Sequence, residues 1–340
     1  MQQSEPTLNH LRWIDLVRSI GAFLVVVAHV QFQGSASSPV GIFYAVLSRI
    51  AVPMFFMASG YLLLGREEPY IVFFKKRALK VIVPFLAWSV IYMLWQQEYF
   101  GEPFSFEVVA KYIIKILRGP RENHLWFFYV LIGLYLFTPI LRVFTARASL
   151  RDLSYFCGLW FIVTPVLYTL QEFTRLQVGF ELYLVAGYTG YYMLGYLIGK
   201  LTFNRIQLYA LTILFWVICV GSVAIIQINS INDYRTQYFG NYISLNVVFM
   251  SVSAFILLRE AVVSDQLALL LTPISKASFG IYLIHVIILV EIAKIRPIGS
   301  LFANGNSIYM IPLLGLLGFL ISFIFVYILQ KILVVRYIVP

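Results

Sequence analysis

The chain has 340 residues, 61% of them hydrophobic and only 12% charged, with a mean hydropathy of +0.86. Soluble domains carry about 25% charged residues, so water is excluded as the main solvent of this fold. The net charge of +10 is not a nucleic-acid signature, because the basic residues are scattered in short segments between apolar runs, where they set membrane topology; holding an anionic cytoplasmic cofactor is a second use for them.

Residues 1–13 read as a short cytoplasmic tail. Asp15 and Arg18 interrupt the approach to the first apolar run, so no cleavable signal peptide is expected. Runs of the roughly 20 mostly apolar residues needed to cross hydrocarbon are then predicted at 14–33, 42–64, 79–96, 125–144, 153–170, 182–199, 207–227, 242–258, 277–293 and 308–333. The third and fifth are short, which leaves nine and eleven as alternatives to ten. Counting from an inside N-terminus, sixteen of the 25 Lys and Arg fall in inner segments and eight in outer ones, with Arg49 inside a span. That bias predicts both ends in the cytoplasm. The longest outer connection, 97–123, contains a stretch at 106–118 whose pattern suits an amphipathic helix on the outer surface or a plain solvated loop helix. No repeat, Gly/Ser linker or low-complexity tract divides the chain. The predicted fold is all-α, a polytopic bundle of about ten transmembrane helices forming one domain over residues 14–336. Cys157 and Cys219 each sit in an apolar run without CxxC or Cys/His spacing, so neither a disulfide framework nor a metal site is expected.

Ionisable groups inside spans are expensive, which makes each a functional candidate. In the first span Arg18 and His29 are eleven residues apart. At about 100° per residue they share one stripe of the helix, separated by about 16 Å along its axis. A nucleotide thioester such as acyl-CoA has matching dimensions: anionic phosphates at one end and a reactive thioester on a long, thin arm. Arg18 suits phosphate, and an imidazole at 29 suits removal of a proton from a hydroxyl. The expectation is that both side chains face one cavity open to the inside of the cell. The plainer alternatives are an Arg18–Asp15 flank pair and a helix-packing role for His29.

Arg18-x10-His29 resembles the signature of the membrane acyltransferase 3 family. Three further stretches resemble that family in the same order: Arg49-Ile-Ala-Val-Pro-Met-Phe-Phe-Met-Ala-Ser-Gly-Tyr61, His124-Leu-Trp-Phe-Phe with Tyr135 and Pro139, and Ser278-Phe-Gly-Ile-Tyr-Leu-Ile-His285. The likeness runs from about residue 12 to the last span, and within the family it is most similar to the enterobacterial common antigen O-acetyltransferase type. The resemblance implies transfer of an acyl group, usually acetyl, from cytoplasmic acyl-CoA to a hydroxyl of a glycan or lipid-linked acceptor. It implies catalysis by His29 and acyl-CoA handling by Arg18. The family's Arg-x-x-Arg after the second span corresponds to Arg77-Ala-Leu-Lys80, where lysine keeps the charge but loses bidentate geometry.

Arg49, predicted at a depth similar to His29, suits acceptor binding or stabilisation of an oxyanion, or a structural bond to a buried carbonyl. His124 and Trp126 stand at the outer mouth of the fourth span, suited to sugar contact or, for the tryptophan, interfacial anchoring. Tyr282 and His285 are further candidates for substrate contact, with helix bridging as the alternative for His285. Ser59-Gly60 suits close helix packing, and Glu172 and Glu181 suit a solvated outer turn. No Walker loop, dinucleotide fingerprint, HExxH or G-x-S-x-G elbow occurs. The expected protein is thus a multi-pass acetyl-CoA-dependent O-acetyltransferase of a bacterial inner membrane acting on cell-envelope glycans, with no metal and no nucleic-acid partner. The rival reading is a transporter or flippase for a lipid-linked saccharide.

Overall fold

The computed structural model describes residues 12–30, 38–96, 105–179, 186–229, 234–295 and 307–340. Among these, every regular element is helical, as hydrocarbon requires of a chain that must satisfy its own backbone N–H and C=O groups. The helices are α1 (Arg12–Val30), α2 (Pro39–Ser48), α3 (Ala51–Leu64), α4 (Tyr70–Trp95), α5 (Phe106–Arg118), α6 (Trp126–Arg147) and α7 (Leu150–Phe173). They continue with α8 (Thr189–Lys200), α9 (Arg205–Asn229), α10 (Tyr234–Tyr238), α11 (Leu245–Glu260), α12 (Asp265–Lys294) and α13 (Ser307–Leu329).

Eight rods among the described residues are long and apolar enough to cross a membrane: α1, α2 with α3, α4, α6, α7, α9, α12 and α13. The third and fifth predicted spans, short in the hydropathy pattern, prove to be 26 and 24 residues long. The sixth and eighth correspond instead to α8 and α11, of 12 and 16 residues. Residues 182–185 of the sixth prediction lie outside the described residues. So do 31–33 of the first span, Glu181 of the outer turn and residues 1–11 of the predicted tail; Arg12 and Trp13 already belong to α1.

The peripheral helix α9 shows what the fold takes as solvent. Ile206, Tyr209, Ile213, Val217 and Val220 are all exposed along one face, while Phe215, Cys219, Ser222 and Ile226 are buried on the other. A continuous apolar face of this length is suited to lipid and would aggregate in water. Cys157 and Cys219 are buried free thiols.

Proline shapes the rods where the site is built. Pro53 has no N–H to offer the Arg49 carbonyl, and the second rod breaks there: Arg49 closes α2 with its N–H on Val46 O at 3.2 Å, and α3 starts at Ala51. Pro84 likewise cannot serve the Lys80 carbonyl, and α4 widens into a π turn at Ala78–Ile82 that carries Lys80. Ser105 caps α5, accepting from Val108 N at 3.2 Å. The amphipathic stretch therefore folds over the residues predicted for it, with Phe106, Ile113 and Leu117 exposed.

Glycine sets the tightest contact. A Cβ on Gly60 would lie 1.8 Å from Tyr192 O, and one on Gly195 would lie 1.9 Å from Met57 O. Helices α3 and α8 thus meet backbone to backbone, as small residues permit inside membranes. Arg259 locks the end of α8 by donating to Ile198 O (2.8 Å) and Leu201 O (2.9 Å). Gly60→Ala is expected to destabilise the protein by about 1–3 kcal/mol through overpacking, read as a lowered Tm in detergent. Gly133→Ala, where a Cβ meets nothing within 4 Å, is the matched control and should leave Tm near wild type.

Candidate functional site

Two cavities enter from opposite ends of the rods. The larger, about 890 Å³, is walled by the first turns of α1, the end of α3, the start of α4, the middle of α6 and the first half of α12. Arg18, Arg77 and Lys80 all line it. Arg66, Lys276 and Arg336 do too; the sequence offered them only as topology charges, indistinguishable from the rest. The alternative reading of Arg18, a flank pair with Asp15, is not formed among the described residues. Asp15 instead accepts from Thr272 Oγ1 at 2.9 Å, and the Arg18 side chain lines the cavity beside Tyr135 and Ser59.

Arg77 is held in place by aromatic and acidic neighbours. Its guanidinium lies 4.8 Å from the Phe73 ring centre and 5.9 Å from that of Tyr135, within cation–π range. Glu68, in the segment between α3 and α4, approaches it to 3.9 Å, pairs with Lys76 at 2.5 Å and reaches Arg142 at 3.9 Å. The Lys76 hydrogen bond, with the surrounding cations, holds the Glu68 carboxyl below the usual carboxylate range. Arg142 donates Nε to Leu63 O at 2.8 Å and also sits over Phe73, at 4.5 Å.

The smaller cavity, about 300 Å³, opens at the other end and is lined by His29, Arg49, Glu122, His124, Trp126 and Tyr242, among others. The helix break at Arg49–Ile50 brings Arg49 to it, where the guanidinium stands 5.5 Å from the Tyr242 ring centre and its Nη1 3.5 Å from the Tyr242 hydroxyl. Trp126 is half-buried against Tyr188 and Tyr242, with ring centres 5.3 and 5.2 Å away. It lines the cavity together with Tyr242, and Tyr188 packs against it. Burial raises the carboxyl of Glu122 above its ordinary range, opposed by a hydrogen bond from Gln96.

Three imidazoles cluster at this cavity, His29 and His124 on its wall and His285 buried behind them. His29 Nδ1 lies 2.8 Å from Val25 O and 3.1 Å from His285 Nε2. His285 Nδ1 lies 2.7 Å from Tyr282 O. Carbonyl oxygens only accept, so in neutral rings both Nδ1 atoms carry the proton. His285 Nε2 is then placed to accept from His29 Nδ1, which the Val25 carbonyl shares; this tautomer is assigned from the hydrogen-bond geometry. His285 is fully buried and does not line either cavity, so it reaches His29 across two helices rather than a ligand. His124 is 3% exposed, with its ring centre 5.9 Å from His29 and 5.2 Å from His285, and its buried Nε2 has no hydrogen-bond partner. An orphaned polar atom beside a cavity is normally matched by a ligand or water.

Arg18 and His29 therefore do not share one open cavity, contrary to the expectation from the helix stripe. Tyr282 lines both cavities, and its hydroxyl donates to His124 O at 2.6 Å. The stripe geometry holds, but a tyrosine from α12 stands between the two ends, which periodicity within α1 does not reveal. No cluster of three or more His, Cys, Asp or Glu suited to a metal ion occurs among the described residues.

A polytopic helical bundle that gathers its ionisable groups into two facing pockets is a membrane protein of the enzyme or carrier class. The family model described as an acyltransferase domain, that of the acyltransferase 3 family, matches residues 11–330, nearly the whole chain. The chain belongs to that family and is a multi-pass membrane acyltransferase. No curated protein and no solved structure matches it.

Proposed function

We propose that this acyltransferase moves an acetyl group from cytoplasmic acetyl-CoA to a hydroxyl of a cell-envelope glycan or lipid-linked saccharide, with His29 as the catalytic base, in a bacterial inner membrane. The observation that carries the reading is the placement of His29, whose ring lines the smaller cavity with its Nδ1 turned to Val25 O and His285. The cationic cavity, with Arg18, Arg77 and Lys80, supports a polyanionic donor entering from the other end. Trp126, Tyr188 and Tyr242 offer aromatic faces of the kind on which sugar rings stack, and Arg49 adds donors for sugar oxygens.

In the reaction, the acceptor O–H gives its proton to His29 Nε2 as the oxygen attacks the thioester carbonyl carbon. The C–S bond then breaks, and the departing thiolate takes the proton from the imidazolium. Movement of Tyr282 would join the two cavities and admit the thioester arm. An acyl-imidazole relay would use the same nitrogen, and label retained on the protein when acceptor is withheld identifies it.

Family membership favours acyl transfer over transport of a lipid-linked saccharide. The discriminating measurement is transfer of radiolabel from acetyl-CoA to envelope glycan by purified protein without any ion gradient. Labelled product is the expected result. Gradient-driven uptake with no labelled product would overturn the reading.

A further inference from the structure

The segment after α13 folds back across the bundle and completes the donor cavity. Trp88 Nε1 donates to Ile338 O at 2.8 Å, and Gln330 Nε2 donates to Val339 O at 3.1 Å and Lys276 O at 3.4 Å. Residues 330–340 are thereby tied to both α4 and α12, and Val339 is fully buried. Within this strap a 3-10 turn, Val335–Tyr337, sets Arg336 and Tyr337 side by side, with the Arg336 guanidinium 5.2 Å from the Tyr337 ring centre and Nη2 3.3 Å from its hydroxyl. Both residues line the cavity.

The charges around the cavity fall into two depths. Arg18 and Arg77 are part-buried, whereas Arg66, Lys80, Lys276 and Arg336 are exposed at the rim. Asp15, already engaged by Thr272, is the one acidic side chain lining the cavity among the described residues. Glu68, outside the lining, approaches only Arg77 among these cations, at 3.9 Å, so the six repel one another unless an anion of several charges joins them. A pyrophosphate answers the inner pair but leaves the outer set unmatched. An aromatic ring beside a guanidinium is what recognises a nucleobase next to a phosphate.

We propose that the strap 330–340 is a nucleotide clamp: Arg336, with Lys276, holds a second, outer phosphate on the ribose of the donor, and Tyr337 packs against its base. The protein would then select CoA thioesters over thioesters lacking the 3′-phosphate. This rests on the acetyl-CoA reading above and adds a specificity determinant to it.

The test is equilibrium binding by calorimetry of CoA and of 3′-dephospho-CoA to detergent-solubilised protein. Wild type is expected to bind CoA about tenfold more tightly, the value of one charge-assisted phosphate contact. Arg336→Ala should erase that preference by weakening CoA alone, so its affinity for dephospho-CoA reports that the cavity is still folded. Trp88→Phe, which removes the N–H that ties down the strap, should narrow the preference in the same direction. Equal binding of both ligands by wild type, or an undiminished preference in Arg336→Ala, overturns the clamp while leaving the CoA reading intact. Failure of wild type to bind either ligand overturns both.

Discussion

Replacement of His29 by alanine is expected to lower acyl transfer by about 10²–10⁴-fold, the usual contribution of a positioned general base, while CoA still binds. The loss is expected to be confined to chemistry because the two cavities are built from different ends of the rods, and His29 lines only the smaller one. Its Nδ1 partner on α1, the Val25 carbonyl, lies one helical turn away and stays within the helix after truncation. Label transfer from acetyl-CoA under saturating acceptor measures the effect. Wild-type turnover in His29→Ala would remove this imidazole from the mechanism.

His285 is expected to act through His29, as a positioning residue. Its Nε2 accepts from His29 Nδ1 at 3.1 Å, and its own Nδ1 is anchored on Tyr282 O. When Nε2 of His29 takes the acceptor proton, the ring becomes an imidazolium, and the bond to His285 becomes a hydrogen bond to a charged group. Such bonds contribute about 1.5–3 kcal/mol, so His285→Leu should lower kcat by roughly 10- to 100-fold with little change in KM for acetyl-CoA. His285→Gln keeps an acceptor of similar reach and should recover much of the rate. A purely structural His285 would make Leu and Gln equally harmful, or would change KM and kcat together; either result refutes the assignment. The same arrangement gives the orphaned Nε2 of His124, a third imidazole beside the cavity, a natural role in meeting the acceptor.

Much of the fold was legible in the chain because a membrane simplifies the code. Backbone groups must be satisfied within each segment, so long apolar runs read directly as rods, and the helix over 106–118 followed from its amphipathic pattern. The Arg18–His29 stripe followed from helical repeat alone. Gly60 was legible as a point of close packing, although its partner, the Tyr192 carbonyl, was not. The break at Arg49 had a visible cause in Pro53, as the π turn before Val83 had in Pro84, yet hydropathy averages over single prolines and merged each rod into one smooth span. The eighth predicted span, 242–258, falls within three residues of α11, whereas the sixth, 182–199, starts before α8, whose first helical residue is Thr189.

Site assembly was harder to read. His29 and His285 are 256 residues apart, and periodicity within one helix says which face a residue occupies but not what packs there. Lys276 and Arg336 looked like any other topology charges, since a cation at a helix end serves orientation and ligand binding with the same chemistry. Trp126 reads equally well as an interfacial or a cavity residue from the chain alone, and only the structure shows that it lines the smaller cavity beside Tyr242.

The amino-acid sequence by itself determined the solvent, the helical class, the family likeness and the stripe that carries Arg18 and His29, because these depend on composition and local repeat. Only the tertiary structure decided that two cavities meet at Tyr282, that His285 lies within 3.1 Å of His29, and that residues 330–340 close the cationic cavity. Those features depend on contacts between helices distant in the chain, and distance along the chain carries no record of proximity in space.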